Sequence, residues 1–155
     1  MAVIKKRYKD INDTLKYIRL QIEESLPYAD KKCPNFSSPS NLFFWLKPRL
    51  TYCKDPRNIE LLQSMPTLME NNYHGTPGAG DCDCFSIAMA SCCISQGWKT
   101  FIILAGRNKH TPVHIWTGVT IDGKDYNLDL TNSIPFKTRD YPYQQKIYIK
   151  PLINK

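Results

Sequence analysis

Three residues, Cys82, His114 and Asp129, have the types and spacing needed for nucleophilic chemistry. Cys82 follows Gly80-Asp81 and opens an apolar stretch that reads as a helix from Cys82 to Gln96, stopped at Gly97. Asp81 is placed to cap that helix, its carboxylate accepting from amides two or three residues on. A thiol in the first helical turn sits among unpaired N–H groups and at the positive end of the macrodipole, both of which favour an anion. The thiolate is the nucleophile, so this position suits a reactive cysteine. The plainer reading makes Cys82 a small residue at the start of a buried helix.

His114 and Asp129 flank a hairpin signal. Asp122-Gly123 lies between two alternating runs, and this pair of residues favours a two-residue turn. With that turn, Ile121 faces Lys124, Val119 faces Tyr126, Thr117 faces Leu128, and Ile115 faces Leu130. This face is largely apolar and belongs to the core. The other face carries His114, Trp116, Asp129 and Thr131, with Asp129 the diagonal neighbour of His114. Diagonal neighbours lie about 7–8 Å apart at the backbone, within reach of two side chains leaning together. Turn chemistry alone thus couples an imidazole to a carboxylate, although His beside Asp also decorates many surfaces. The chain order Cys, His, Asp matches the papain-like form of the acyl-transfer triad.

Other segments must hold these residues. Ile11, Leu15, Ile18, Ile22 and Leu26 recur at steps of four and three, predicting an amphipathic helix over 11–26 stopped by Pro27. Residues 30–41 read as a Pro- and Ser-containing loop, and Asn41 to Leu46 as a short helix. Residues 58–70 suggest one or two helical turns interrupted at Pro66, and Gly75 to Gly80 a loop. The helix from Cys82 is apolar on nearly all sides, which marks it as central and buried. Strands are expected at Thr100–Ala105, Val113–Ile121 and Lys124–Leu130. A fourth, at about 145–150, ends at Pro151 and so belongs at an edge. A helical half followed by a sheet predicts an α+β fold in a single domain over 1–155.

At this level of detail the chain resembles the transglutaminase-like superfamily. Gly80-Asp81-Cys82-Asp83, His114-Ile115-Trp116 and Leu128-Asp129-Leu130-Thr131 are similar to its G-x-C, H-x-W and L-D-x-T motifs. The lead-in from Trp45-Leu46 through Tyr52, Asp55 and Glu60 to Ser64 is similar as well, so the likeness covers about residues 42–131. The resemblance implies a papain-like fold, with helices around a central nucleophile-bearing helix packed on an antiparallel sheet. It implies Cys82 as nucleophile, His114 as general base and Asp129 as orienter. The reaction implied is attack on an amide carbonyl: peptide hydrolysis, deamidation or transamidation of a protein or peptide. The Cys82 amide, Trp45 or Gln63 would serve the oxyanion, with Trp116 beside the substrate. Many family members carry Asp where this chain has Cys84, but two residues along a helix is about 200°, so Cys84 points away from Cys82.

Composition narrows the rivals. The chain has 155 residues, 42% hydrophobic and 12% aromatic, which fits a globular domain and not a disordered chain. No apolar run approaches the roughly 20 residues needed to span a bilayer, and no secretory leader is evident. A cytoplasmic site of synthesis and assembly is expected, and with it free thiols at all six cysteines. Zinc is disfavoured: Cys82 and Cys93 on one helix would stand about 16 Å apart, and C-x-C is a poor knuckle. No metal or cofactor is expected. The net charge of +7, clustered at Lys5, Lys6, Arg7 and Lys9 and again from Lys137 to Lys155, would serve solubility or an acidic partner. No phosphate loop or recognition motif accompanies it, which argues against nucleic acid. The serious alternative is a silent structural role. Small domains with the Gly-Asp-Cys-Asp start also resemble proteins of tailed bacteriophages, where the fold would be a virion component near a connector or tail.

Overall fold

The computed structural model describes residues 3–7, 11–56, 59–110 and 112–149. Strand β1 (Val3–Arg7) precedes a long helix α1 (Ile11–Lys32), a short helix α2 (Pro39–Leu46) and strand β2 (Thr51–Tyr52). Then come β3 (Ile59–Gln63), α3 (Met65–Glu70), β4 (Ala79–Gly80) and the central helix α4 (Cys82–Ser95). The second half is all strand: β5 (Lys99–Gly106), β6 (Pro112–Ile121), β7 (Lys124–Leu128) and β8 (Tyr143–Ile149). The last four form one antiparallel sheet in the order β7-β6-β5-β8, so β7 and β8 are its edges. Two small pairs, β1 with β3 antiparallel and β2 with β4 parallel, complete a mixed α/β architecture.

Helix α4 is the axle of the molecule. Every residue from Cys84 to Cys93 is buried. One side packs with α2 and α3 around Leu42, Phe43, Leu46 and Leu68. Another packs with α1 and the sheet around Ile18, Ile22, Ile102, Leu104 and Ile115. Its start is capped as expected, with Asp81 Oδ1 accepting from the Asp83 amide at 3.1 Å. Its end is a Schellman turn, with Gly97 at φ 84° and the Trp98 amide donating to the Cys93 carbonyl. Gly80 is required just before the cap, because a Cβ there would lie 2.7 Å from the Cys84 Cβ.

Several elements differ from expectation, each for a local reason. Helix α1 does not stop at Pro27 but runs to Lys32 with the proline inside it. Pro27 is exposed, so water can satisfy the carbonyl it leaves unpaired, while Ala29 beyond it is fully buried against the core. Consequently the expected loop over 30–41 is shorter, and α2 starts on Pro39 with Ser38 as its cap. Pro66 likewise starts α3 and interrupts nothing, while residues 59–63 form strand β3 and not helix. Ala79 and Gly80, expected in a loop, pair in parallel with β2. Residue 58 of the expected helical segment, residue 150 of the expected edge strand, and Lys9, Lys150 and Lys155 of the charge clusters lie outside the described residues.

Candidate active site

The hairpin has the expected register, from Ile121 opposite Lys124 to Thr117 opposite Leu128. Asp122 and Gly123 both take positive φ, at 52° and 77°, as a type I′ turn requires. The ladder then ends two residues earlier than expected, so Ile115 and Leu130 are not ladder partners. Asp129 explains the early end. Its Oδ1 accepts from the Thr131 amide at 3.0 Å and from the Thr131 hydroxyl at 2.7 Å, and its carbonyl accepts from the Asn132 amide. Such local side-chain bonds compete with a sheet ladder. Freed from the strand, Asp129 turns Oδ2 to within 2.6 Å of His114 Nε2.

The early end also leaves the first half of β6 without a partner on that edge, and the start of α4 occupies the space. Ser86 donates to the Ile115 carbonyl at 3.4 Å, and Thr117 donates to the Ser86 carbonyl at 2.9 Å. The Ile115 amide is directed at the Cys82 sulfur. Cys82 and His114 thereby line one cavity of about 650 Å³, flanked by the exposed Tyr52 and Val113. Nε2 is taken by Asp129, which leaves Nδ1 as the nitrogen for a thiol. No hydrogen bond joins the imidazole to Cys82 in this resting arrangement.

The surroundings of His114 and of Cys82 differ in electrostatics. Burial works against ionisation of Asp129, but the hydrogen bonds and charge of His114, together with Thr131, outweigh it and hold the carboxyl below the usual range. Lys47 lies behind this carboxylate and donates from Nζ to the Leu130 carbonyl at 2.5 Å. Desolvation lowers the Lys47 ammonium, and the Asp129 charge partly restores it. Around Cys82 burial pushes the thiol well up, and the carboxylates of Asp83 and Asp81 push it further. The Ile115 amide works in the opposite direction and does not prevail. The thiol is therefore neutral at rest, which corrects the expectation of a thiolate favoured by its helical position. The first cause is burial of the sulfur, to which the neighbouring Asp83 and Asp81 add against the helix terminus.

Asp81 itself is pushed up to about 9 by burial first, then by the neighbouring Asp83 and Asp55. Oxygens of Asp55, Asp81 and Asp83 lie within 4.8 Å of one another, the described residues best placed to hold a cation. Among the described residues the cysteines and histidines form no such group. All six cysteines are described, and none is in a disulfide.

Of the remaining expected site residues, Trp116 is brought beside His114, with ring centroids 5.6 Å apart and its indole N–H on Asn127 at 3.0 Å. Trp45 and Gln63 are not brought to the cavity. Trp45 stacks under the Arg49 guanidinium, 4.2 Å from its ring centre, and against Phe36. Gln63 is fully buried, its amide donating to the Ala79 carbonyl and accepting from the Tyr73 amide, so it has nothing free for an oxyanion. The cause is that β3 is a strand and not a helix, which places Gln63 behind α4. Cys84 points away from Cys82 as expected, its thiol donating to the Leu61 carbonyl. Sequence reasoning gave no site role to Lys47, Asp55 or Tyr141, although Lys47 and Asp55 lie in the lead-in segment that resembles the family. The Asp81-x-Asp83 spacing was the one available sign of the acidic cluster.

No family model and no curated protein matches the chain. Among solved structures it is similar to a "putative protease" from Parabacteroides distasonis, with a TM-score of 0.55 at 14% identity over 92% of this chain. The match takes up 30% of that protein, so the chain spans less than a third of its length. A "putative cysteine protease" from Cytophaga hutchinsonii gives a TM-score of 0.46 at 12% identity, covering 93% of this chain and 58% of that one. The first likeness shows a shared mixed α/β fold. Among the described residues no helix is long and apolar enough to cross a membrane.

Proposed function

We propose that the chain is a single papain-like, transglutaminase-like domain that carries out cysteine-dependent acyl transfer on the amide carbonyl of a protein or peptide. The observation that carries this reading is the 2.6 Å bond between His114 Nε2 and Asp129 Oδ2, with His114 and Cys82 lining one cavity. Asp129 orients the ring and supports the positive charge it acquires. Nδ1 takes the Cys82 proton as the sulfur attacks the carbonyl carbon, so the imidazole acts as general base on a neutral thiol. The backbone N–H of Cys82, at the first position of α4 with no intrahelical acceptor, supports the oxyanion. The imidazolium then protonates the leaving amine, and water or a second amine releases the acyl group. Whether that second nucleophile is water or an amine separates hydrolysis and deamidation from transamidation.

The test is site-resolved alkylation of the native protein with iodoacetamide, read by peptide mass spectrometry. Cys82 should react ahead of Cys84, Cys92 and Cys93, and His114→Gln should slow it about tenfold or more. A Cys82 that reacts no faster than the buried cysteines would replace this reading with the structural, virion-type role.

A further inference from the structure

We infer that Tyr141 is a positioning residue for His114: its ring covers the imidazole together with Trp116 and favours the imidazolium that forms when Cys82 gives up its proton. This rests on the reading of His114 as the base. Three rings meet at the site. His114 and Tyr141 have centroids 6.0 Å apart with planes tilted 31°, and Trp116 and Tyr141 lie 6.1 Å apart at 33°. With the Trp116 contact to His114, this makes a closed triangle of rings.

The backbone explains how a residue from beyond Asp129 arrives there. Tyr141 precedes Pro142, which biases it to extended conformation, and Tyr143 opens β8 opposite Gly106 of β5. In the neighbouring ladder Ala105 opposes His114, and in the β8 ladder it opposes Gln144. A methyl at that crossing leaves room for a ring to lie over β5 and reach β6. Ala105 is fully buried although it lies on the sheet face away from α4, as a covering ring requires. Phe101, Ile103 and Trp116 share that small cluster, with Tyr141 packed against it. The His114 side chain is left 13% exposed.

Two consequences follow for the chemistry. The imidazole is bordered by Trp116 and Tyr141, which resist its turning and keep Nε2 on Asp129. Electron-rich ring faces within about 6 Å of a cation also attract it. Tyr141 thus acts on the charged ring more than on the neutral one, and it favours proton transfer from Cys82 Sγ to His114 Nδ1.

The experiment uses the full chain and the variants Tyr141→Leu and Tyr141→Phe, with His114→Gln as reference. Tyr141→Leu should slow Cys82 alkylation by iodoacetamide near neutral pH roughly two- to fivefold and move the acid limb of its pH profile downward. It should also remove the aromatic ring-current displacement of the His114 Cε1–H proton signal, and Tyr141→Phe should restore all three. A folded Tyr141→Leu protein with an unchanged signal and profile overturns the inference. So does the absence of cross-relaxation between the His114 and Tyr141 rings in the unaltered protein, a measurement that needs no variant to fold. A rate that depends on His114 but not on Tyr141 overturns this inference alone. A rate indifferent to His114→Gln overturns it together with the acyl-transfer reading.

Discussion

Asp129 and Asp81 each accept a local backbone hydrogen bond, Asp81 lining the cavity and Asp129 buried behind His114, and they titrate in opposite directions. Asp129 meets a ring N–H, a hydroxyl and a backbone amide, and is held below the usual carboxylate range despite burial. Asp81 meets one backbone amide and two further carboxylates, and is raised to about 9. Burial disfavours both anions, so the number of donors decides which one survives. The site therefore has an anionic carboxyl behind the imidazole and, beside the thiol, an acidic cluster in which Asp81 keeps its proton.

The comparison breaks most severely at Asp129. Asp129→Asn keeps the shape but removes the charge that supports the imidazolium, and peptide-amide turnover or His114-dependent alkylation of Cys82 should fall about 10²–10⁴-fold. An unchanged rate in a folded variant would remove Asp129 from the mechanism.

Beside the thiol the sign reverses. Asp83→Asn removes the larger of the two carboxylate influences on Cys82, so the thiol should ionise more readily and alkylate up to about tenfold faster at neutral pH. A slower Cys82 would show that Asp83 supports the thiol through some other contact.

Thr131→Val sharpens the contrast by taking one donor from Asp129 while leaving His114 in place. The carboxyl should rise toward its ordinary range, and turnover should drop roughly three- to tenfold with the loss concentrated at low pH. A uniform loss at every pH would instead point to a displaced backbone.

The smallest effect is on stability. Because the folded-state Asp81 is raised from 3.8 to about 9, its contribution is full below pH 3.8, is lost as pH rises through that window, and is gone above about 9. Asp129 has the opposite slope: its contribution is present above the ordinary carboxylate range and is lost as pH falls through its lowered value. Asp81→Asn keeps an N-cap acceptor and should raise the melting temperature by a few degrees near pH 8, with no gain near pH 4. Scanning calorimetry at the two pH values checks this, and an equal loss at both would mean that the cap matters more than the charge.

Much of this site was legible from local chemistry. The Asp122-Gly123 turn sets a register that brings the end of β7, and with it Asp129, alongside His114, because a two-residue turn needs positive φ twice and this pair tolerates it. Asp81 and Gly97 bound the central helix for equally local reasons, one supplying an acceptor and the other a left-handed residue. These are decisions that a few neighbouring residues make without the rest of the chain.

Other outcomes needed the packed molecule. Pro27 reads as a stop, and only burial of Ala29 on one side with water on the other carries α1 past it. Gln63 reads as a free amide near the nucleophile, until the β1–β3 pairing seats it in the core with its bonds taken. The Cys82 position reads as one that favours a thiolate, and the balance turns only when burial of the sulfur is added to its neighbours Asp83 and Asp81. Turns and caps are settled by bonds a few residues long, so sequence alone determined them. Ionisation and side-chain availability depend on every group within several ångströms, and only the tertiary structure brings Asp55, Lys47 and Tyr141 into that range.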